Sequence, residues 1–175
     1  MDETTTRPAR KTGATTSALV LVAFVAISFA VAALGSVATI SNVEGWYADA
    51  DKAPWNPPNW LFGPAWTFLY TAMSVAAWLV WRQRHLIEVR RALTLYVVQL
   101  VLNALWTPVF FGLFPAIGTP ALWIALAIIV ALDVVILLTM LAFWPVSRAA
   151  AWLLVPYWAW TLFATTLNVA LALLN

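Results

Sequence analysis

Residues 92–132 decide the fold, and they read ALTLYVVQLVLNALWTPVFFGLFPAIGTPALWIALAIIVAL. None of them carries a formal charge, and the run is too long for a single membrane crossing, which needs about 20 apolar residues. Pro115, Gly118 and Pro120 follow its midpoint, where such residues end one helix and start the next. The run therefore predicts two membrane-spanning helices, at about 92–114 and 120–144.

The composition of the whole chain is also that of a membrane protein. Of its 175 residues, 64% are hydrophobic and only 9% are charged, whereas soluble domains carry about 25% charged residues. So few charges are not enough to cover a water-facing surface. The chain has no cysteine, which excludes disulfides, thiol nucleophiles and cysteine-ligated metals.

Three further apolar segments predict additional spans at about 17–40, 60–81 and 149–174. Proline cannot donate a backbone hydrogen bond, so Pro156 predicts a kink in the last of them. With the two helices of the uncharged run, the sequence predicts an all-α membrane protein built as a bundle of five transmembrane helices.

The polar residues 1–16 predict a short disordered tail, which leaves 17–175 as one transmembrane domain. A cleaved signal peptide is the alternative for the first span, because Arg7, Arg10 and Lys11 precede it. The apolar part of a signal peptide is roughly 7–15 residues long, and this one is longer, so a retained helix is favoured.

Basic residues are distributed unevenly between the two ends of the predicted bundle. Of the nine Lys and Arg residues, all but Lys52 fall in the N-terminal tail, in the loop after the second span or at Arg148. The positive-inside rule then places the N-terminus in the cytoplasm, as in a bacterial membrane. The first loop and the C-terminus are predicted to face outward.

Several kinds of conventional chemistry lack the side chains that they need. The single histidine, His85, lies in the basic loop, where a solvated role is favoured over a role as a haem ligand. Lys11 and Lys52 both lie outside the spans, which argues against a Schiff base within the membrane. No phosphate-binding loop and no metal-ligand cluster is present in the sequence, and no nucleic-acid partner is expected.

Asp133 is the one charged residue inside a predicted span. Intramembrane carboxylates are costly and often functional, which suggests a proton or ion path. The simpler interpretation is a protonated carboxyl group that is hydrogen-bonded to a neighbouring helix. This interpretation is favoured because the spans contain no second ionisable group to act as a relay.

Aromatic and neutral polar residues recur at helical spacing on single faces. Amides within a bilayer need partners, so these faces should point into the bundle. A few polar groups among aromatic side chains describe a ligand pocket, and simple packing explains them equally well. The residues are Gln99, Asn103 and Trp106 in the third span, Pro156, Trp160, Ala164 and Asn168 in the fifth, and Trp66 and Tyr70 in the second.

The same residues carry a resemblance to a known family. The stretches are Trp46-Tyr47 with Lys52, PWNPP at 54–58, GPAW at 63–66, QLVLNALWTPVFFG at 99–112, and PYWAW at 156–160 with FATTLN at 163–168. In these motifs the chain resembles the TspO/translocator protein family, the tryptophan-rich sensory proteins related to the peripheral benzodiazepine receptor. The resemblance extends from about residue 20 to the C-terminus.

This resemblance implies a five-helix bundle, usually a homodimer, with a cavity beneath the first loop. The cavity is expected to bind porphyrins such as protoporphyrin IX or haem, sterols and synthetic drugs, with no cofactor required. Some bacterial members also support light-dependent breakdown of protoporphyrin IX, a reaction in which the positions of Trp66 and Trp160 are implicated. The ligand-binding positions implied are Tyr47, Pro57, Trp66, Asn103, Trp106, Trp160 and Ala164.

The sequence departs from the family pattern at two places. Residues 167–175 lack the Tyr and Arg of the animal sterol motif, which puts sterol recognition by that motif in doubt. A small-residue motif for dimer contact is also missing, and the row of Ser28, Ala32 and Ser36 is an alternative contact for a homodimer. A transporter of porphyrins or sterol-like lipids is the alternative function, although no internal repeat supports it.

Overall fold

The computed structural model describes residues 13–175, and within them the regular structure is entirely helical. The helices are α1 (Ala14–Val43), α2 (Trp46–Asp49), α3 (Phe62–Arg82), α4 (Arg90–Thr107), α5 (Phe114–Ile117), α6 (Thr119–Phe143), α7 (Arg148–Leu153) and α8 (Val155–Leu174). Most of the predicted N-terminal tail, residues 1–12, lies outside the described residues. The tail does not extend to residue 16, since α1 already begins at Ala14.

Four segments of the described chain are long and apolar enough to cross a membrane: Ala14–Val43, Arg90–Gly112, Thr119–Phe143 and Arg148–Leu174. They confirm the predicted class, an all-α integral membrane protein. Helix α3 has 21 residues and is therefore about 31 Å long, which matches a hydrocarbon core of about 30 Å. Its tryptophans and tyrosine lower its mean hydropathy below that of the other four segments.

Helices α1 and α3 lie side by side and run in opposite directions. At one end, the indole Nε1 of Trp78 donates a hydrogen bond to the Ser17 carbonyl oxygen, 2.9 Å away. Further along, the rings of Phe29 and Tyr70 are in contact, with centroids 6.3 Å apart. Residue numbers rise along α1 as they fall along α3, so the two helices are antiparallel. They also cover the same range along the axis of the bundle.

Prolines and a glycine set the interruptions in the helices. After Thr107, Pro108–Gly112 continue α4 as a single π turn, because a proline removes one backbone donor from the regular ladder. The predicted kink at Pro156 takes the form of a break at Leu154, and Pro156 occupies the first turn of α8. Gly118 has φ of 66°, a left-handed conformation that suits glycine, and it separates α5 from α6.

The row of Ser28, Ala32 and Ser36 runs from the interior of the bundle to its surface, since Ser28 is buried, Ala32 is half-buried and Ser36 is exposed, and its role as a dimer contact stays a prediction. Ser28 is fully buried and is hydrogen-bonded to Ser74 Oγ at 2.9 Å and to Tyr96 Oη at 3.0 Å. Small residues let helices approach closely at any helix contact, so spacing alone did not distinguish an internal contact from an external one. The homodimer itself stays a prediction.

Candidate functional site: an aromatic cavity under the first loop

A cavity of about 670 Å³ lies between α1, α3, α4 and α8, on the side of the bundle that carries the first loop. Its wall is largely aromatic, with Phe29, Tyr47, Phe62, Trp66, Tyr70, Trp106, Phe110, Phe111 and Trp160. Most of the polar groups that join this wall are amides and hydroxyls. Such a cavity suits a flat, apolar ligand better than a charged substrate.

Five of the seven predicted ligand-binding residues line this cavity: Tyr47, Trp66, Trp106, Trp160 and Ala164. Asn103 does not line it, since its amide lies behind the wall and is bonded to Tyr70. Pro57 lies in the first loop, where its carbonyl oxygen accepts a hydrogen bond from Asn56 Nδ2 at 3.1 Å. The structure thus brings five of these residues together around the cavity and leaves Asn103 and Pro57 outside its lining.

Trp106 is fixed by contacts on two sides. Its indole Nε1 donates to Asn168 Oδ1 at 3.2 Å, and Asn168 Nδ2 donates to the Leu122 carbonyl oxygen at 2.9 Å. Its ring stacks on Phe110, with centroids 5.0 Å apart and an interplanar angle of 29°. A side chain held in this way presents its free face to the cavity without loss of conformational entropy on binding.

Trp66 is supported by a hydrogen-bonded pair of tyrosines. Its ring lies 5.3 Å from the ring of Tyr70 and 6.3 Å from that of Tyr157. Tyr70 Oη donates to Asn103 Oδ1 at 2.7 Å, and Asn103 Nδ2 donates to Tyr157 Oη at 2.9 Å. Asn103 therefore acts as a support for the wall, which agrees with the prediction that its helix face points inward.

Trp160 is the third indole on the wall. Its ring meets Phe62 edge-on, with centroids 5.8 Å apart. Its Nε1 atom is buried and has no hydrogen-bond partner among the described residues. A buried donor without a partner costs about 1–3 kcal/mol.

The first loop closes the cavity with Tyr47. This phenol donates to Asn56 Oδ1 at 3.1 Å; burial raises the pKa of Tyr47, and the bond to Asn56 offsets part of that rise. Tyr47 therefore remains a neutral donor at physiological pH. Lys52 lies over the Tyr47 ring, 4.9 Å from its centroid, and its amine donates to the carbonyl oxygens of Ala48 and Ala50.

Two further contacts attach the loop to the helices, and sequence reasoning had missed both. Trp46 Nε1 donates to the Phe111 carbonyl oxygen at 2.9 Å, and its ring stacks on Phe114 with centroids 3.9 Å apart. The side-chain amide of Asn175 accepts from Asp51 N at 3.1 Å and donates to Asp51 O at 3.0 Å. A terminal asparagine gives no periodic signal, so nothing in the sequence pointed to it.

Asp133 lies away from the cavity, between α6 and α8. Its Oδ2 atom accepts a hydrogen bond from Thr165 Oγ1 at 2.8 Å, which is the neighbouring-helix contact favoured from the sequence. Its Oδ1 atom is buried with no partner among the described residues. Within residues 13–175, no group of three His, Asp or Glu side chains is close enough to hold a metal ion.

A bundle of membrane-spanning helices around an aromatic cavity, covered by an attached loop, defines an integral membrane protein with an internal aromatic cavity. The comparison with known sequences agrees with this class. Residues 24–174 match the TspO/MBR family, and the chain belongs to this family.

Relatives with similar sequences occur in archaea, bacteria and animals. The chain is 40% identical to the tryptophan-rich protein TspO of Archaeoglobus fulgidus over 157 residues, which cover 90% of this chain and 97% of the relative. It is also 40% identical to the tryptophan-rich sensory protein of Cereibacter sphaeroides, covering 82% and 87% of the two chains. The translocator protein of Homo sapiens is 40% identical over 125 residues, 70% of each chain.

Proposed function

We propose that the protein is a membrane sensor or scavenger that binds tetrapyrroles such as protoporphyrin IX in the aromatic cavity. The observation that carries the proposal is the presence of three indoles, those of Trp66, Trp106 and Trp160, on the wall of one cavity. A porphyrin is a broad, flat and mostly apolar ring that stacks well on indole faces. The volume of about 670 Å³ lies within the usual range for small-molecule sites, about 300–1,000 Å³.

The polar groups of the wall support the same ligand class. The side chains behind the wall are already bonded to one another, as in the Tyr70–Asn103–Tyr157 chain, so they need no rearrangement. A rigid, largely aromatic wall of this kind favours a ligand that is mainly apolar.

A titration of protoporphyrin IX into detergent-solubilised protein, followed by tryptophan quenching, tests the proposal. We expect saturable quenching, and about 5- to 10-fold weaker binding in Trp66→Phe and Trp160→Phe, since each loses part of an aromatic contact worth about 0.5–1.5 kcal/mol. Trp123→Phe is the matched control, because Trp123 is exposed on α6 and does not line the cavity. Absence of saturation in the parent protein, or equal effects in all three variants, would contradict the proposal.

Light- and oxygen-dependent breakdown of the bound porphyrin is a second proposed activity. It is supported by the oxidisable rings around the cavity, since Trp66 lies beside both Tyr70 and Tyr157. An illuminated porphyrin passes its excitation to molecular oxygen, which is the oxidant for the ring. Illumination of the complex should bleach the porphyrin absorbance faster than in the dark or in Trp66→Phe, and equal rates would exclude the activity.

Transport of porphyrins or sterol-like lipids is the alternative function. The position of the cavity, near one end of the bundle and under a closed loop, gives no second gate at the opposite end. Flux of protoporphyrin IX into proteoliposomes no faster than into empty liposomes would exclude transport. Flux above that background would replace the sensor or scavenger assignment.

We also propose that α3 is the fifth span. It lies antiparallel to α1 at the same depth, as the contacts of Ser17 with Trp78 and of Phe29 with Tyr70 support. With α3 across the membrane, the chain alternates direction and the Arg-rich loop lies opposite the first loop. The positive-inside rule then places the N-terminus in the cytoplasm and the cavity toward the outer surface.

A further inference from the structure

We propose that ligands enter and leave the cavity sideways, from the hydrocarbon of the bilayer, through a seam between α1 and α3. The proposal rests on the ligand-binding function proposed above. Within the described part of the chain, the lining residues that are also exposed belong to α1 and its C-cap Glu44, to α3 or to the turn that leads into α3. The seam is formed by Ala33, Ser36 and Ile40 of α1 and by Gly63 and Thr67 of α3.

The other walls of the cavity are closed. The lining residues of α4 and α8, among them Trp106 and Trp160, are half-buried, and Phe110, Ala164 and Asn168 are buried. By contrast, Ile40 on the seam is 71% exposed. The cavity therefore reaches the outside of the bundle along one pair of helices.

The seam faces lipid. Its residues on α1 lie within the Ala14–Val43 segment, which is long and apolar enough to span a membrane. Ser36 and Thr67 hydroxyls do not oppose contact with lipid, because Ser36 Oγ donates to the Ala33 carbonyl oxygen at 2.8 Å and Thr67 Oγ1 to that of Gly63 at 2.9 Å. Each hydroxyl is satisfied by its own helix, so an apolar surface remains.

Helices α1 and α3 are joined more firmly in the half of the bundle away from the seam. There Trp78 Nε1 bonds to the Ser17 carbonyl, and Ser74 Oγ bonds to Ser28 Oγ at 2.9 Å. At the seam, a methyl group built on Gly63 would meet no atom within 4 Å, so there is open space beside this residue. A ligand can pass at the seam while the pair stays joined at its other end.

The route from water is closed by hydrogen bonds. Trp46 is bonded to the Phe111 carbonyl, and the backbone of Asp51 exchanges two hydrogen bonds with the side chain of Asn175. A ligand entering from the aqueous side would have to break these contacts, whereas one entering at the seam breaks none of them. The seam thus selects molecules that already dissolve in the bilayer, such as a porphyrin with few carboxylates.

The test measures association and dissociation rates of protoporphyrin IX with the full chain in liposomes, by stopped-flow tryptophan quenching. Gly63→Phe and Ser36→Phe place bulk on opposite sides of the seam without adding a tryptophan. We expect both to slow association and dissociation at least about fivefold. Val97→Phe, exposed on α4 away from the cavity, is the matched control and should leave both rates unchanged.

Asn175→Ala tests the other route, entry from water past the first loop, because it loosens the loop and leaves the seam intact. Unchanged rates in Asn175→Ala together with slow rates in the seam variants support lateral entry. Faster rates in Asn175→Ala, with no effect of Gly63→Phe or Ser36→Phe, would overturn it in favour of entry from water. If one seam variant fails to fold, the rates of the other seam variant test the route of entry. A lack of saturable binding in the parent protein would instead refute the proposed function.

Discussion

The indole Nε1 of Trp106 lies 3.2 Å from Asn168 Oδ1, and this hydrogen bond joins α4 to α8 at the wall of the cavity. The same asparagine donates to the Leu122 carbonyl oxygen on α6, so one buried amide holds three helices together. In hydrocarbon, neither the indole nor the amide has water as an alternative partner. The position of Trp106 on the wall therefore depends on Asn168.

Replacement of Asn168 with leucine should destabilise the bundle. The substitution keeps a side chain that branches at Cγ, removes both hydrogen bonds and leaves the Trp106 donor unpaired. We expect the free energy of unfolding to fall by about 1–3 kcal/mol, since hydrogen bonds between membrane helices contribute roughly 0.6 kcal/mol each and an unpaired buried donor adds to the loss. Unfolding in mixed detergent micelles, followed by circular dichroism, measures the change.

Thr94→Leu is the control for that measurement, because Thr94 is exposed on α4 and the same kind of polar-to-leucine change there meets only lipid. It should alter the free energy of unfolding by less than about 0.5 kcal/mol. An Asn168→Leu protein as stable as the parent would show that the two hydrogen bonds contribute nothing to the fold.

The helices and the inward faces could be predicted from the sequence because they depend on local patterns. Uncharged runs of sufficient length predicted the spans, and the spacing of Gln99 and Asn103 correctly predicted that both amides are buried. Each of these signals arises from one strong physical requirement. An uncharged run must avoid water, and an amide in lipid must find a partner within the protein.

The orientation of α1 could not be predicted in the same way. A lipid-facing surface is as apolar as the interior, so α1 shows no polar face that would identify its outer side. For that reason the spacing of Ser28, Ala32 and Ser36 did not show that Ser28 is buried in the bundle while Ser36 is exposed. Contacts such as Asn175 with Asp51 join segments that are distant in the chain, and only the folded structure shows them.

Replacement of Ala164 with leucine should fill part of the cavity. Ala164 is buried on α8 and lines the wall next to Trp160, so the larger side chain takes space that the ligand would occupy. We expect at least about tenfold weaker binding of protoporphyrin IX, which corresponds to about 1.4 kcal/mol. Ala159→Leu, an exposed position on the same helix, is the control and should bind like the parent. Equal binding by all three proteins would show that the ligand lies elsewhere.

Glu44 should disfavour ligands with carboxylates. Of the described residues that line the cavity, it alone carries a formal charge, and it is exposed at the rim, at the end of α1. Its carboxylate repels the propionates of a porphyrin and is not neutralised by Lys52, whose amine is bonded to backbone carbonyls. We expect Glu44→Gln to tighten the binding of protoporphyrin IX by about 2- to 5-fold at low salt, and less at high salt.

The dimethyl ester of protoporphyrin IX separates charge from shape in that experiment. The ester has no carboxylate, so Glu44→Gln should leave its affinity unchanged in quenching titrations at either salt concentration. An equal gain for the acid and the ester would mean that Glu44 acts by its size, and the electrostatic argument would then be wrong.

The direction of α3 can be tested by cysteine labelling, for which the cysteine-free chain gives no background. Ala48 in the first loop and His85 in the Arg-rich loop are both exposed and lie at opposite ends of α3. In intact cells, a membrane-impermeant maleimide should label Ala48→Cys and leave His85→Cys unmodified, and inverted vesicles should give the reverse pattern. This outcome follows if α3 spans the bilayer and the arginines face the cytoplasm. Labelling of both positions from the same side would show that α3 does not cross, and reversed labelling in intact cells would place the cavity toward the cytoplasm.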